Sequence, residues 1–373
     1  GRTAAAFVVS GDNTATPSVT YTGTIANSSN DAIRIENTGN GGTITFDSLA
    51  ADAIADSGTG TGIFLNGAGS TINFTADMEL TGTEGIDIDG GDGTYTFSDT
   101  DINATGVSFD VSGGTSSVSF LTNSTINQAT NNAALNVLNH GTGTLDFNGD
   151  VTTTLGPGVV FNNADGNYSL DGTTTLAGGG SIDILTASSG NFTFGTTSIT
   201  SAAGDAINID GHTIGTVTFG NTTIDMAGAT GIAIANSSGD YNFTGAANVI
   251  SNLANAADGV QVTEAAGTLV FQNFTIGQLS AGRSGFNINT DNGGNALNLT
   301  LRSNRVDLNG TNSTGYSVIA DGAGNNVTFS GSNGAANDNV TQNDGAGTAS
   351  NFQELNGGLI NGTIRINGTD LTP

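Results

Sequence analysis

A small residue followed by two apolar residues at i and i+2 recurs thirteen times along the chain, and few folds can accommodate that repeat. The pairs are Phe7/Val9, Ile33/Ile35, Ile63/Leu65, Ile86/Ile88, Val107/Phe109, Leu135/Val137, Val159/Phe161, Ile182/Ile184, Ile207/Ile209, Ile232/Ile234, Val260/Val262, Phe286/Ile288 and Tyr316/Val318. Gly, Ala or Ser precedes each one, so a bend that admits no bulky side chain leads into each segment.

A second alternating pair follows nine to twelve residues later and usually ends in Phe, as in Ile44/Phe46, Ile72/Phe74, Tyr95/Phe97, Val118/Phe120, Val217/Phe219 and Tyr241/Phe243. Val19/Tyr21, Tyr168/Leu170 and Leu297/Leu299 fill the same slot with other bulky residues. A third apolar position stands five or six residues further on, at Ile102, Ile126, Leu176, Ile199, Ile224 and Ile276. Alternation of period two marks strands with one buried face. One three-strand coil cannot enclose its own apolar side chains, but stacked coils can, each strand pairing with its equivalent in the next.

The expected fold is therefore all-β, a right-handed parallel β-helix (β-solenoid) of about fourteen three-strand coils, its handedness taken from the preference of parallel crossovers. At about 4.8 Å per coil it would be on the order of 67 Å long. The chain reads as a single β-solenoid domain over residues 1–373, with an insertion and a less regular last coil at 331–373. In that coil Phe352 opens the frame, Ile364/Ile366 take the second strand and Leu371 the third. Segments 49–61, 251–258, 277–284 and 331–351 break the period and are expected to project as contact loops.

Charge narrows the function. Thirty-three acids face six bases, all arginine, for a formal net charge of -27. Phosphate backbones and anionic membranes need clustered positive charge, so nucleic acid is excluded as a partner and no direct membrane insertion is expected. There is no Cys, hence no disulfide and no thiolate chemistry. The sequence opens on Gly1 without Met and carries no leader pattern, which points to a processed or excised piece.

Arg302 and Arg305 are the one close pair of bases and have only Asp307 near them, which reads as a solvated strand edge or turn. Asn139-His140-Gly141 and Asp210-Gly211-His212 place both histidines in turns, without an acid/base pair. No catalytic residue and no enzymatic activity are assigned. For a metal, Asp87, Asp89 and Asp110 are the candidate ligands: Ile86 and Ile88 point inward, so Asp87 and Asp89 point out, with Asp110 expected in the slot of Asp89 one coil later. Stacked carboxylates repel, and Ca²⁺ would relieve them. Phe64 is an outward aromatic, and the outward second-strand positions, such as Thr45, Asn73, Thr96 and Ser119, form a hydroxyl and amide ladder.

The Gly-Ile-x-Ile, Gly-Thr-x-Thr-Phe and Asn-Thr-Thr-Ile units, with no Cys, no Lys and a strong acidic balance, resemble the β-strand-repeat regions of large bacterial surface proteins, including autotransporter passengers and related adhesins. The resemblance covers nearly the whole chain and rests on pattern and composition. It implies a bacterial extracellular or cell-surface location and a non-enzymatic structural or adhesive role, as a surface fibre, matrix or filament subunit. The alternatives are an adhesin passenger and a polysaccharide-binding or polysaccharide-degrading β-helix. Expected partners are further copies of the chain, end to end, and a surface glycan or cell-surface receptor.

Overall fold

The computed structural model describes residues 5–225, 228–253, 258–277, 279, 282–290, 296–308, 312–330, 339–343, 348–362, 364–366 and 369–371. Among them there is no helix, and parallel strands stack as a β-solenoid whose number of turns is close to the fourteen expected. The chain divides into two compact units, residues 1–178 with 189–194 and residues 179–188 with 195–373.

In the first unit the first-sheet strands are Phe7–Ser10, Ile33–Glu36, Thr61–Asn66, Glu84–Asp89, Phe109–Ser112, Leu135–Leu138 and Gly158–Asn162, hydrogen-bonded in that order. In the second they are Ser181–Leu185, Ile207–Asp210, Ile232–Ala235, Val260–Thr263, Ser284–Asn289, Thr314–Asp321 and Thr348–Leu355. Register puts like on like. Ile33, Ile63 and Ile86 form one column, and Ile199, Ile224, Ile250, Ile276 and Val306 another, all essentially inaccessible to solvent. Each such buried aliphatic side chain contributes about 1.5–3 kcal/mol through the hydrophobic effect.

The phenylalanines stack. Ring centroids of Phe46, Phe74, Phe97 and Phe120 follow one another at 4.9, 4.8 and 4.5 Å with interplanar angles of 6°, 5° and 11°. Phe219, Phe243 and Phe271 repeat this in the second unit at 4.8 and 5.0 Å. The spacing is that of adjacent strands, about 4.7–4.9 Å, so parallel in-register pairing itself imposes the stacking.

Four details depart from the expected frame. Phe109 and Val111, not Val107 and Phe109, pair with Ile86 and Ile88. Ser108 is the buried small residue before that pair, its carbonyl accepting from the Ile86 N–H at 3.0 Å. Leu299/Leu301, not Leu297/Leu299, continue the column of Leu269/Phe271, because three alternating leucines leave the frame ambiguous in sequence. In the last coil Leu359–Gly362 is the second strand, Ile364–Ile366 the third, and Thr369–Leu371 turns back antiparallel on it. Segment 49–61 is not all loop: Ile54–Asp56 forms a third strand against Ile25–Asn27, leaving Leu49 fully exposed before it. Within the other expected insertions, residues 254–257, 278, 280–281, 331–338 and 344–347 lie outside the described residues.

Two devices hold coil to coil at the bends. The residue just after the first strand takes a left-handed conformation at Asn37, Gly67, Gly90, Gly113, Asn139 and Asn163, a region that Asn and Gly enter at least cost. Before the strand, an Asp-Ala or Asp-Gly step lets a carboxylate accept the next coil's backbone N–H: Asp31 from Thr61 at 2.9 Å, Asp205 from Thr230 at 2.9 Å, Asp258 from Ser284 at 2.8 Å. Asp31 and Asp258 are buried, and these bonds are what make burying a carboxylate tolerable.

Candidate functional site

The frame correction at Phe109 rearranges the acidic candidates. Asp110 stands in register with Asp87, and the partner of Asp89 is Ser112. Asp87 and Asp110 therefore share one outward column of the first sheet, about 4.8 Å apart by strand spacing, while Asp89 belongs to the neighbouring column. The column continues to Asn136, whose Nδ2 donates to Asp110 Oδ1 at 2.6 Å. Burial raises the Asp110 pKa above the usual carboxylate value, the Asn136 bond works against that rise, and the charges of Glu84 and Asp89 add to it. Asp89 is exposed and accepts from Asn66 Nδ2 at 3.3 Å.

The same acid-amide rung appears in the second unit. Asp183 Oδ2 accepts from Ser181 Oγ at 2.6 Å, and its Oδ1 accepts from Asn208 Nδ2 at 3.3 Å. Burial raises the Asp183 pKa, and these two bonds oppose it. Among the described residues no three His, Cys, Asp or Glu side chains converge to hold a metal ion. Ca²⁺ takes six to eight oxygens, so Asp87 and Asp110 would offer it two carboxylates on an open sheet face.

The two histidines occupy equivalent turns, two residues past the ends of first-sheet strands, and both are buried. His140 Nδ1 lies 3.0 Å from the Tyr168 hydroxyl, and His212 Nδ1 lies 3.0 Å from that of Tyr241; each tyrosine belongs to the following coil. His140 Nε2 sits 3.2 Å from the Ser116 carbonyl. A carbonyl can only accept, so Nε2 carries the proton and Nδ1 accepts from Tyr168. Burial lowers the His140 pKa, with the Ser116 bond opposing. These are hydrogen-bonded joints between coils.

Phe64, expected outward and available, is only 7 % exposed, with the Arg34 guanidinium 5.1 Å from its ring centre. Arg34 in turn binds Glu36 at 2.5 Å and Asp31 at 3.6 Å. Arg305 pairs with Asp307 at 2.9 Å on the surface.

Sequence reasoning missed two features of the first unit. A groove of about 540 Å³ lies over the turns after the first strands, bordered by Asn13, Asn37, Asn40, Asp92, Thr115 and several glycines. Its signal was Gly67 and Gly90 at a turn position that is Asn37 one coil earlier. The other is Asp56, 1 % exposed, whose Oδ1 accepts from Asn27 Nδ2 at 2.6 Å while Oδ2 has no partner among the described residues. Burial raises its pKa. An acid at an inward third-strand position, where Leu80 follows one coil later, was the visible signal.

A scan against protein-family models, a search of curated proteins and a search of solved structures each returned no match to this chain.

Proposed function

We propose that this chain is a non-enzymatic β-solenoid of the bacterial cell exterior, with a structural or adhesive role as a surface fibre, matrix or filament subunit. The observation that carries the reading is where the reactive side chains point. His140, His212, Asp31, Asp205 and Asp258 bond to the adjoining coil, and the phenylalanine columns face inward. Parallel strands that stack within a chain can stack between chains by the same hydrogen bonds, here through the first and second strands of the last coil, since the edge of its third strand is taken by the antiparallel Thr369–Leu371. The acidic surface without lysine suits a protein that stays soluble while its ends associate.

In this reading the partners are further copies of the chain, with a glycan or cell-surface receptor met by the outward ladders. Negative-stain electron microscopy of native material tests it: the reading expects continuous fibres. Separate particles at every concentration, in native and purified material alike, would refute the assembly and leave a passenger-type adhesin.

A further inference from the structure

We infer that Asn40 and Asn356 are sites of spontaneous backbone-assisted deamidation, which turns two stabilising turn bridges into repulsive ones. The inference is independent of how chains assemble. Asn40-Gly41-Gly42 and Asn356-Gly357-Gly358 are the same sequence in two exposed turns, one in each unit. The reaction needs the backbone nitrogen of the following residue to reach the asparagine Cγ, so a glycine with a free N–H is the best successor. Gly41 has φ +94°, nothing within 4 Å of where a Cβ would stand, and no partner for its N–H among the described residues. Gly357 has φ +90° and likewise no N–H partner there.

The chemistry balances without a redox step. Gly41 N loses its proton to solvent base and attacks Asn40 Cγ; the new C–N bond forms as ammonia leaves, giving a cyclic imide. Water then opens the ring at either carbonyl, leaving aspartate or isoaspartate. Either product carries a new negative charge.

That charge lands against an existing one. The Asn40 amide nitrogen donates to the Asp92 carboxylate, at 3.3 Å in one amide orientation and at 3.2 Å in the other, where it also reaches the Gly69 carbonyl at 3.1 Å. The bridge spans the coil between them because Gly69 has no side chain: a Cβ there would collide with the Asn40 amide. Asn356 Nδ2 donates to Asp321 Oδ1 at 2.7 Å. Conversion replaces each amide-carboxylate bond by two facing carboxylates.

Asn66-Gly67 supplies the internal control. Its amide also donates to a carboxylate, Asp89, at 3.3 Å. The difference is the backbone: the Gly67 N–H donates to the Asp89 carbonyl at 2.8 Å and is not free to attack. The test is to incubate the folded protein at mildly alkaline pH and follow each Asn-Gly peptide by proteolysis and mass spectrometry, with the urea-unfolded protein in parallel. Asn40 and Asn356 are expected to convert severalfold faster than Asn66 in the folded protein and at a similar rate to it when unfolded. Equal rates in the folded protein, or an intact Asn40 while Asn66 converts, would overturn the inference. For the consequence, Asn40→Asp is expected to lower the thermal midpoint and Asp92→Asn to restore it in the double variant. An unchanged midpoint in Asn40→Asp would overturn the bridge.

Discussion

Truncating Phe97 to alanine tests whether the aromatic columns hold the first unit together. The ring is fully buried, 4.8 Å from Phe74 on one side and 4.5 Å from Phe120 on the other, nearly parallel to both. Removing it leaves two rings about 9 Å apart, twice the strand spacing, and the ladder bonds fixing Phe97 to Phe74 and Phe120 prevent closure. A site that cannot collapse lies at the upper end of the Phe→Ala range, about 4–5 kcal/mol. Phe97→Leu keeps most of the volume and loses only the stacking, about 0.5–1.5 kcal/mol for each ring contact. Urea unfolding followed by far-ultraviolet circular dichroism measures both, and each transition is fitted separately because repeat arrays need not unfold in one step. A loss below about 2 kcal/mol for Phe97→Ala would mean that the column relaxes freely, refuting the claim that the backbone ladder sets ring spacing.

Lowered in the fold, the His140 pKa favours the neutral ring, so its contribution to stability is complete above the ordinary value of 6.5 and declines as pH falls below it toward the folded value. Thermal melts from pH 7.5 to about 5 should show that decline, and His140→Gln should flatten it; an equal slope in the variant would discard the assignment. Asp110 and Asp183 work in the opposite sense. Their pKa values are raised, so their favourable contribution is complete below 3.8 and is lost as pH rises through the folded values. Asp110→Asn is accordingly expected to raise the melting midpoint at pH 7 and to leave it unchanged near pH 3, and a lower midpoint at pH 7 would contradict this. If Ca²⁺ bridges Asp87 and Asp110, millimolar Ca²⁺ should raise the midpoint beyond a sodium control of equal ionic strength, and Asp110→Asn should abolish the difference. Identical shifts would leave the column a screened acidic face.

Most of the fold was legible because one alternation, repeated, specifies both strand and face: Ile33, Ile63 and Ile86 can share a column only if coils stack. Where the sequence misled, two frames were equally apolar. Val107, Phe109 and Val111 alternate without a break, and hydrogen bonding through Ser108 chose between them. That slip of two residues moved Asp110 from beside Asp89 to beside Asp87, so an error invisible in the hydrophobic pattern changed the candidate site. The bends were the least legible part. Asn37 and Gly67 look like ordinary turn residues until their shared left-handed conformation shows them to be one position. Asp31 and Asp258 look like surface acids, yet each is buried on the next coil's backbone. The burial of Phe64 depended on Arg34, one coil earlier and 30 residues away in sequence.

In the proposed assembly, coils stack between chains as they do within one. Cryo-electron microscopy of native assemblies at a resolution that separates strands addresses it most directly. The proposed assembly predicts a strand spacing of about 4.8 Å that runs through the junction between successive chains in the first- and second-strand columns. Fibres whose strand ladder stops at each junction, or native material containing only separate molecules, would contradict it.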